Sequence, residues 1–252
     1  MTKLYQFAFS RFCEKARWAL DYKSIPYTPI NLLPGLHAKT IQKLAPKTCM
    51  PVLVDDKTAV QDSTAIITYL DKTHPHPLLT PRDPREAREA LEWEKYFDEE
   101  IGVTIRLWFY YHALPDRSRA MKLLMIGAPW YGPPLYAVIF PKVRQAMMRA
   151  MNINAETARD AERRLAAALD RLDAALKDRR FLVGDHFSRA DLTACALLSP
   201  MVLPTDKEAS ELFPQAVLAL RNLHKGRRYF GWVRNVYDNY RQPMRAETRA
   251  AA

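Results

Sequence analysis

Short apolar runs alternate with helical patterns over the first 73 residues. Residues 4–9 form an apolar run rich in aromatic side chains, which predicts a buried strand. Apolar residues then recur at helical spacing in Phe12, Ala16 and Leu20, which predicts a helix that ends near Lys23. Further strands are predicted at residues 27–32, 51–56 and 58–60, and further helices at residues 38–44 and 63–72. The order β-α-β-α-β-β-α predicts a small α/β domain.

A proline-rich segment ends this pattern. Residues 74–84 contain four prolines, the last of them Pro84. Each proline fixes its own backbone φ and disfavours helix in the residue before it. We therefore expect residues 74–84 to be an extended linker between two domains.

The chain beyond the linker has a helical pattern. In residues 155–178 four leucines share one helical face: Leu165, Leu169, Leu172 and Leu176. Ser188 is a good N-cap residue, and Asp191 stands where its capping-box partner belongs. Other helices are predicted at residues 85–112, 214–223 and 229–240. The expected fold class is an α+β domain, residues 1–73, followed by an all-α domain, residues 85–252.

The segment of residues 113–154 is a long, proline-rich connection between predicted helices. Leu123 to Phe140 carries no charge and is as long as a short membrane helix, but three prolines and two glycines interrupt it. We expect no transmembrane segment here. So large an uncharged patch is not left in water, and we expect it to pack over the cleft between the domains or against a partner chain.

Composition is that of a globular protein, with 48% hydrophobic and 26% charged residues among 252. The net charge is +10, and residues 221–252 contain eight Lys or Arg against two acidic residues. A basic end of this kind can bind nucleic acid or an anionic membrane surface. Because no nucleic-acid motif accompanies it, we favour a solvated helical face on the outside of the molecule and expect no nucleic-acid partner.

Several kinds of site lack their sequence signal. The chain has seven glycines and neither GxGxxG nor GxxxxGK[ST], which disfavours dinucleotide and P-loop sites. Three scattered cysteines, Cys13, Cys49 and Cys195, and the absence of a secretory leader predict a reducing, cytoplasmic location. His74 and His76 lie in the proline-rich segment, which is a poor rigid site, so we expect no metal.

Ser10 and Cys13 stand where the first strand meets the first helix. Unpaired N–H groups at a helix N-terminus carry partial positive charge and stabilise a thiolate. The Ser10 hydroxyl can donate to such a thiolate, or it can simply cap the helix. Cys13, at the spacing of a Cys-x-x-Cys motif, is either a reactive thiol or a small buried hydrophobe.

Two further segments have features of a peptide-ligand site. The Met50–Pro51 bond is a candidate cis peptide that would present the Met50 backbone to a ligand, with an ordinary trans proline as the alternative. At Asp62-Ser63 a helix begins. Its N–H groups and Ser63 suit a carboxylate and Asp62 suits an amine, with simple helix capping as the alternative.

These segments resemble those of glutathione transferases. The resemblance rests on Ser10-x-x-Cys13-x-Lys15-Ala16-Arg17, Met50-Pro51-Val52-Leu53, Asp62-Ser63-Thr64-Ala65-Ile66 and Phe187-Ser188-Arg189-Ala190-Asp191-Leu192, in the family's order. The chain departs from the family pattern at three places. Arg11 stands where proline is commoner, and Asp62 stands where glutamate is commoner. Thr48-Cys49 stands where many members have glycine followed by lysine or glutamine. The resemblance implies a thioredoxin-like N-terminal domain, an all-helical C-terminal domain and a homodimer.

The resemblance also implies roles for individual residues. Ser10 would be catalytic, and the glutathione-binding residues would be Phe12, Met50, Pro51, Asp62 and Ser63. A second-substrate pocket would draw on the aromatic residues Trp108, Tyr110, Tyr111, Trp130, Tyr131 and Tyr136, for each of which helix-packing core is the alternative. The implied function is conjugation of reduced glutathione to an apolar electrophilic small molecule. The alternatives are a non-catalytic binding or scaffold protein of this family and thiol transfer through Cys13.

Overall fold

The computed structural model describes residues 1–242, apart from the side chain of Asp206. Its first part contains four strands and three helices in the predicted order. They are β1 (Lys3–Gln6), α1 (Arg11–Tyr22), β2 (Thr28–Asn31), α2 (Ala38–Ile41), β3 (Val52–Asp55), β4 (Thr58–Gln61) and α3 (Ser63–Thr73). The alternation of apolar runs and helical spacing therefore predicted this part correctly.

The four strands form one mixed sheet in the order β2-β1-β3-β4. Strand β1 is parallel to β2, whereas β3 is antiparallel to both β1 and β4. Val52 and Leu53 of the inner strand β3 are buried, as their unbroken apolar run predicts. This sheet with its helices, followed by a helical domain, confirms the predicted fold class, whereas the residue boundaries of the two domains remain a prediction.

Nine α-helices make up the rest of the described chain. They are α4 (Pro84–Phe97), α5 (Val103–Ala113), α6 (Arg117–Leu124), α7 (Gly132–Ala150), α8 (Ala155–Ala175), α9 (Arg189–Val202), α10 (Asp206–Leu212), α11 (Gln215–His224) and α12 (Arg228–Tyr240). Helix α9 is buried along nearly its whole length. The predicted capping box at its start is confirmed, since Asp191 accepts from the Ser188 backbone N–H at 2.9 Å.

The predicted helix over residues 85–112 is helical throughout but not uniform, because a π-helical turn, Asp98–Gly102, lies between α4 and α5. A Cβ added to Gly102 would lie 2.6 Å from Cζ of Phe12. Glycine therefore lets the Phe12 ring of α1 pack directly against this turn. The contact joins residues far apart in the chain, so helical spacing within residues 85–112 does not predict it.

The long connection predicted for residues 113–154 contains two helices, α6 and α7. Pro133 and Pro134 occupy the first turn of α7, where a missing N–H removes no hydrogen bond, and only Pro141 lies inside the helix. We call α6, α7 and the turn between them, residues 117–150, the α6–α7 hairpin. The prolines that suggested irregular structure instead mark where α7 begins.

The inner face of the α6–α7 hairpin packs over the boundary between the two domains. Tyr136 and Phe140 of α7 belong to one buried cluster with Phe9, Leu33 and Tyr110. The Tyr136 hydroxyl donates to the carbonyl oxygen of Pro34. The prediction that residues 123–140 pack over the cleft of their own chain is confirmed for this face. Over residues 1–242, no helix has both the length and the apolar character needed to span a bilayer.

The basic end is not a uniformly solvated face, which corrects the prediction from its composition. Arg221 is buried, and its Nε donates to the carbonyl oxygen of Met201 at 2.9 Å. Arg241 forms ion pairs with Glu14 at 2.8 Å and with Asp21 at 2.7 Å, so it joins the end of the helical domain to α1. Charge density alone could not distinguish these buried arginines from exposed ones. Two further basic residues of this end, Arg245 and Arg249, lie outside the described residues.

Candidate functional site

Three segments of the site meet at one end of the sheet. Tyr5 of β1 pairs with Val52 of β3, and Val52 pairs in turn with Gln61 of β4. The chain leaving β1 therefore lies beside the chain entering β3 and the chain leaving β4. The Asp62 backbone N–H donates to the carbonyl oxygen of Pro51 at 3.1 Å, which joins two of the segments directly. Helices α1 and α3 both begin at this end, so their positive N-termini point to the same place.

Ser10 occupies the N-cap position of α1 with an extended backbone. Its carbonyl oxygen accepts from the Glu14 N–H at 2.9 Å, and its own N–H donates to the Phe7 carbonyl oxygen at 3.0 Å. The side chain, however, makes no capping hydrogen bond. Ser10 therefore stands at the cap position, but its hydroxyl makes no hydrogen bond to the helix N–H groups.

Cys13 lies one turn into α1 and is fully buried. Burial raises the pKa of the Cys13 thiol, although hydrogen bonding from the Phe7 backbone and from Ser10 acts in the opposite direction. A neutral, inaccessible thiol cannot attack a substrate. Of the two interpretations of Cys13, the structure favours the small buried hydrophobe, and thiol transfer lacks the exposed thiolate that it requires.

The Met50–Pro51 peptide bond is cis, which confirms the candidate from the sequence. The loop that precedes it is held by two side chains that sequence reasoning had not assigned to the site. The Gln61 amide accepts from the Lys47 N–H at 3.1 Å, and it donates to the carbonyl oxygens of Lys47 at 2.7 Å and Cys49 at 2.9 Å. A ring nitrogen of His37 lies 3.0 Å from the Thr48 carbonyl oxygen. The only sequence signal was a polar side chain at the end of β4, next to Asp62.

Asp62 and Ser63 begin α3. The Asp62 carboxylate accepts from the N–H groups of Thr64 at 2.8 Å and Ala65 at 3.2 Å, so the capping interpretation is confirmed for Asp62. Both bonds go to Oδ1, which leaves Oδ2 uncommitted to the cap. The φ of Asp62 is +90°, a left-handed backbone value that aspartate tolerates better than most residues. Ser63 is buried at the first position of the helix.

A buried polar network lies directly behind the start of α3. Lys15 of α1 pairs with Glu94 at 2.8 Å and with Asp98 at 2.7 Å, and Thr64 donates to Glu94 at 2.9 Å. Arg189 of α9 pairs with the other oxygen of Glu94. Burial opposes the charged form of Glu94, but Lys15 and Arg189 outweigh it and lower the pKa of that carboxyl. Through Thr64, which follows Ser63, the network connects the start of α3 to the helical domain.

Phe12 contacts the helical domain at the same end of α1. Its ring lies against Gly102, and the Arg106 guanidinium lies 5.7 Å from the ring centroid. Arg11, where the family more often has proline, points between α1 and α9 and donates to the Ser199 hydroxyl at 3.2 Å. Burial lowers the pKa of Arg11. The N-terminal turn of α1 is thus fixed against α5 and α9.

The aromatic candidates for a second pocket are dispersed. Trp108 packs in a separate buried cluster with Ala209, Phe213 and Val217, so it belongs to the core and not to a cleft wall. Tyr111 packs against the cluster that contains Phe9, which also includes Tyr110 and Tyr136. Trp130 and Tyr131 are exposed at the turn of the α6–α7 hairpin. Of the aromatic residues considered for the site, Phe12 and Tyr111 are only partly buried.

Two open cavities of about 640 and 800 Å³ lie elsewhere, beside residues 176–187 and α12. Ser10, Met50 and Asp62 line neither of them. Among residues 1–242, no three His, Cys, Asp or Glu side chains are grouped so that they could hold a metal ion.

Comparison with known proteins assigns both domains to one family. The family model described as Glutathione S-transferase, N-terminal domain matches residues 4–78, and the one described as Glutathione S-transferase, C-terminal domain matches residues 135–217. Together the two matches cover more than half of the chain. The chain belongs to the glutathione S-transferase family.

Among curated relatives, Glutathione S-transferase Z1 of Arabidopsis thaliana is 40% identical over an alignment of 144 residues, and the match covers 50% of this chain and 65% of the relative. Glutathione S-transferase TCHQD of the same plant is 25% identical over an alignment of 210 residues, and the match covers 80% of this chain and 77% of the relative. The alignments with Glutathione S-transferase Z1 and with a probable glutathione S-transferase of Nicotiana tabacum span 65% and 48% of the relatives' own length, which is less than two thirds.

Solved structures show the same fold. The beta-etherase LigF from Sphingobium sp. strain SYK-6 superposes with a TM-score of 0.63 at 21% identity, covering 93% of this chain and 98% of that one. A glutathione S-transferase from Methylobacterium radiotolerans was solved in complex with glutathione sulfonate. It superposes with a TM-score of 0.59 at 20% identity, covering 91% of this chain and 92% of that one.

Proposed function

We propose that this protein binds reduced glutathione and conjugates it to an apolar electrophilic small molecule. The observation that carries the proposal is the meeting of two helix N-termini, at Ser10 and at Ser63, beside the cis Met50–Pro51 bond. Such a place favours anions because unpaired N–H groups and helix dipoles point toward it. Glutathione supplies two carboxylates and, when ionised, a thiolate.

The proposed assignment gives each segment one part of the ligand. The Ser10 hydroxyl, free of the helix cap, donates to the sulfur at the N-terminus of α1. The Met50 backbone pairs with the peptide portion, as an added strand would. Asp62, through Oδ2, takes the amine of the γ-glutamyl end, and Ser63, whose hydroxyl and N–H are not used by the Asp62 cap, takes its carboxylate.

The reaction then needs only an ionised sulfur and a bound electrophile. The thiol proton leaves to solvent, and the thiolate electron pair forms a carbon–sulfur bond. Either the leaving group departs with its bonding pair, or an activated double bond accepts the pair and is protonated from water. Phe12 and Tyr111, which are only partly buried, are the proposed apolar contacts for the electrophile, whereas Trp108 is buried in the core.

Turnover with a nitro-activated aryl chloride tests the proposal. Ser10→Ala should reduce kcat about 100-fold, the scale of one lost hydrogen-bond donor to developing charge. Ser210→Ala, an exposed serine on α10, is the matched control and should retain wild-type turnover. Equal turnover in Ser10→Ala and wild type would remove Ser10 from the mechanism.

A non-catalytic binding protein of the same family is the second candidate. Its support is the buried cluster of Phe9, Leu33 and Tyr136, through which the α6–α7 hairpin covers the loop before Ser10. Calorimetry with millimolar glutathione separates the two candidates. A binding heat with one site per chain favours the enzyme, whereas no heat and no thermal shift favour the binding protein.

Three further properties are proposed with this function. The chain forms a homodimer, which light scattering in plain buffer would show as twice the mass of 29.1 kDa. Residues 1–73 and 85–252 are the two domains, joined by residues 74–84. The three unpaired cysteines support a reducing, cytoplasmic location, which microscopy of the tagged full chain would test.

A further inference from the structure

The outer face of the α6–α7 hairpin is apolar and exposed. Trp130 is 88% exposed and Val138 is 79% exposed, and Ile126 and Tyr131 are also exposed. All four lie within residues 123–140, which carry no charge. The inner face of the same hairpin is already occupied by the cluster around Tyr136. The outer face therefore has no partner in the described part of the chain.

The charged residues within the hairpin have one sign, although Asp116, just before it, pairs with Arg119. From Arg117 to Ala150 there are six basic residues and no acidic residue: Arg117, Arg119, Lys122, Lys142, Arg144 and Arg149. Lys142 and Arg149 are exposed and follow Val138 by four and eleven residues, so all three share one face of α7. Within the described chain, Lys122, Lys142 and Arg149 have no carboxylate partner. A surface of this kind attracts an anionic partner.

We propose that the outer face of the α6–α7 hairpin docks on the surface of an anionic lipid bilayer. Trp130 and Tyr131 are exposed together at the turn between α6 and α7, so both side chains can enter the headgroup region. Trp and Tyr favour that interface, and lysine and arginine beside them meet anionic headgroups. An acidic protein would satisfy the charges, but it would also need a pocket to enclose the protruding Trp130. The docked helix lies on the bilayer and does not cross it.

Co-sedimentation of the full chain with vesicles tests this proposal. Vesicles of phosphatidylcholine alone are compared with vesicles that also contain phosphatidylserine. We expect binding to the anionic vesicles that weakens as salt is added, because exposed charges are screened. The double variant Trp130→Ser, Val138→Ser should bind at least tenfold more weakly, and so should Lys142→Glu, Arg149→Glu. These residues are exposed, so thermal unfolding should match that of the wild type.

Leu223→Ser is the matched control, because Leu223 is 76% exposed on α11, outside the hairpin. It should bind the anionic vesicles as the wild type does. Absence of wild-type binding, or equal binding by the wild type and the Trp130, Val138 variant, would overturn the proposal. The proposal would also be overturned if the wild type self-associated without binding vesicles and the Trp130→Ser, Val138→Ser variant did not self-associate. No glutathione is present, so this result is independent of the proposed activity.

Discussion

The side-chain amide of Gln61 donates a hydrogen bond to the carbonyl oxygen of Cys49 at 2.9 Å, immediately before the cis Met50–Pro51 bond. The same side chain forms two hydrogen bonds with the Lys47 backbone. One residue of β4 thus fixes the loop whose end is proposed to pair with glutathione. The site depends on this loop although Gln61 itself is not assigned a ligand contact.

Gln61→Ala should therefore raise KM for glutathione about tenfold. Without the Gln61 side chain, the loop before Met50 is no longer held in place and must be ordered when glutathione binds. Each hydrogen bond of this kind makes a net contribution of about 1 kcal/mol. The turnover number should change little, since no group at the sulfur is altered. Steady-state kinetics with glutathione as the varied substrate measure both. Gln42→Ala, an exposed glutamine on the surface after α2, is the control. An unchanged KM in Gln61→Ala would contradict this role of the loop.

The turn of the α6–α7 hairpin depends on Gly127. Its φ is +65°, and an added Cβ would lie 2.6 Å from Cβ of Ala8 in the loop before Ser10. Gly127→Ala should lower the free energy of unfolding by about 1–2 kcal/mol from the left-handed backbone alone, with the steric contact adding to this. Chemical denaturation measures the change, and hydrogen exchange should increase in residues 117–150.

Gly226→Ala is the matched control for that change. Nothing lies within 4 Å of the Cβ that it would add, and its φ is outside the left-handed range. Its free energy of unfolding should stay the same or rise slightly. Equal effects of the two substitutions would mean that the hairpin turn does not require glycine.

Glu94 should be the most sensitive member of the buried network. Glu94→Gln leaves Arg189 buried without its carboxylate and weakens the neutralisation of Lys15. We expect a loss of about 3–5 kcal/mol in the free energy of unfolding, as for other broken buried pairs. Glu100→Gln removes a partly exposed pair with Arg164 and should cost no more than about 1 kcal/mol. Urea titrations that gave similar losses for both variants would contradict the importance assigned to burial.

Asp191 gives a pH dependence of stability with a defined sign. Burial raises the pKa of Asp191 to about 6, although hydrogen bonds from Leu182 and Ser188 oppose the shift. A carboxyl with a raised pKa binds its proton more tightly in the folded chain, so its contribution is complete below the ordinary value near 3.8 and is lost as pH rises through about 6. The wild type should lose stability relative to Asp191→Asn between about pH 4 and pH 6. Parallel stability curves over this window would exclude the shift.

The sequence was sufficient wherever the cause of a structure is local. The Ser188–Asp191 box, the apolar run of β3 and the proline before it each contain their own signal, and each prediction was confirmed. Ser10 was placed correctly at the start of α1, but only coordinates show that its hydroxyl does not cap the helix.

The remaining features depend on residues far apart in the chain. The π-helical turn exists where Gly102 meets Phe12, and the buried pair of Lys15 with Glu94 joins two domains. Trp108 could not be assigned to core or cleft until α5 was oriented against α10 and α11. Periodicity identifies a helix and its apolar face, but it does not say which neighbour that face meets.

The pKa of the glutathione thiol in the bound complex tests the central claim most directly. Thiolate absorbs in the ultraviolet, so a difference titration of the complex reports its ionisation. For the wild type we predict a bound thiol with a pKa of about 6.5 to 7, against about 8.5 for a free cysteine thiol. In Ser10→Ala the bound thiol should titrate close to the free value, with glutathione affinity largely retained. A wild-type complex whose thiol titrates as free glutathione does, or a chain that binds no glutathione, would contradict the account.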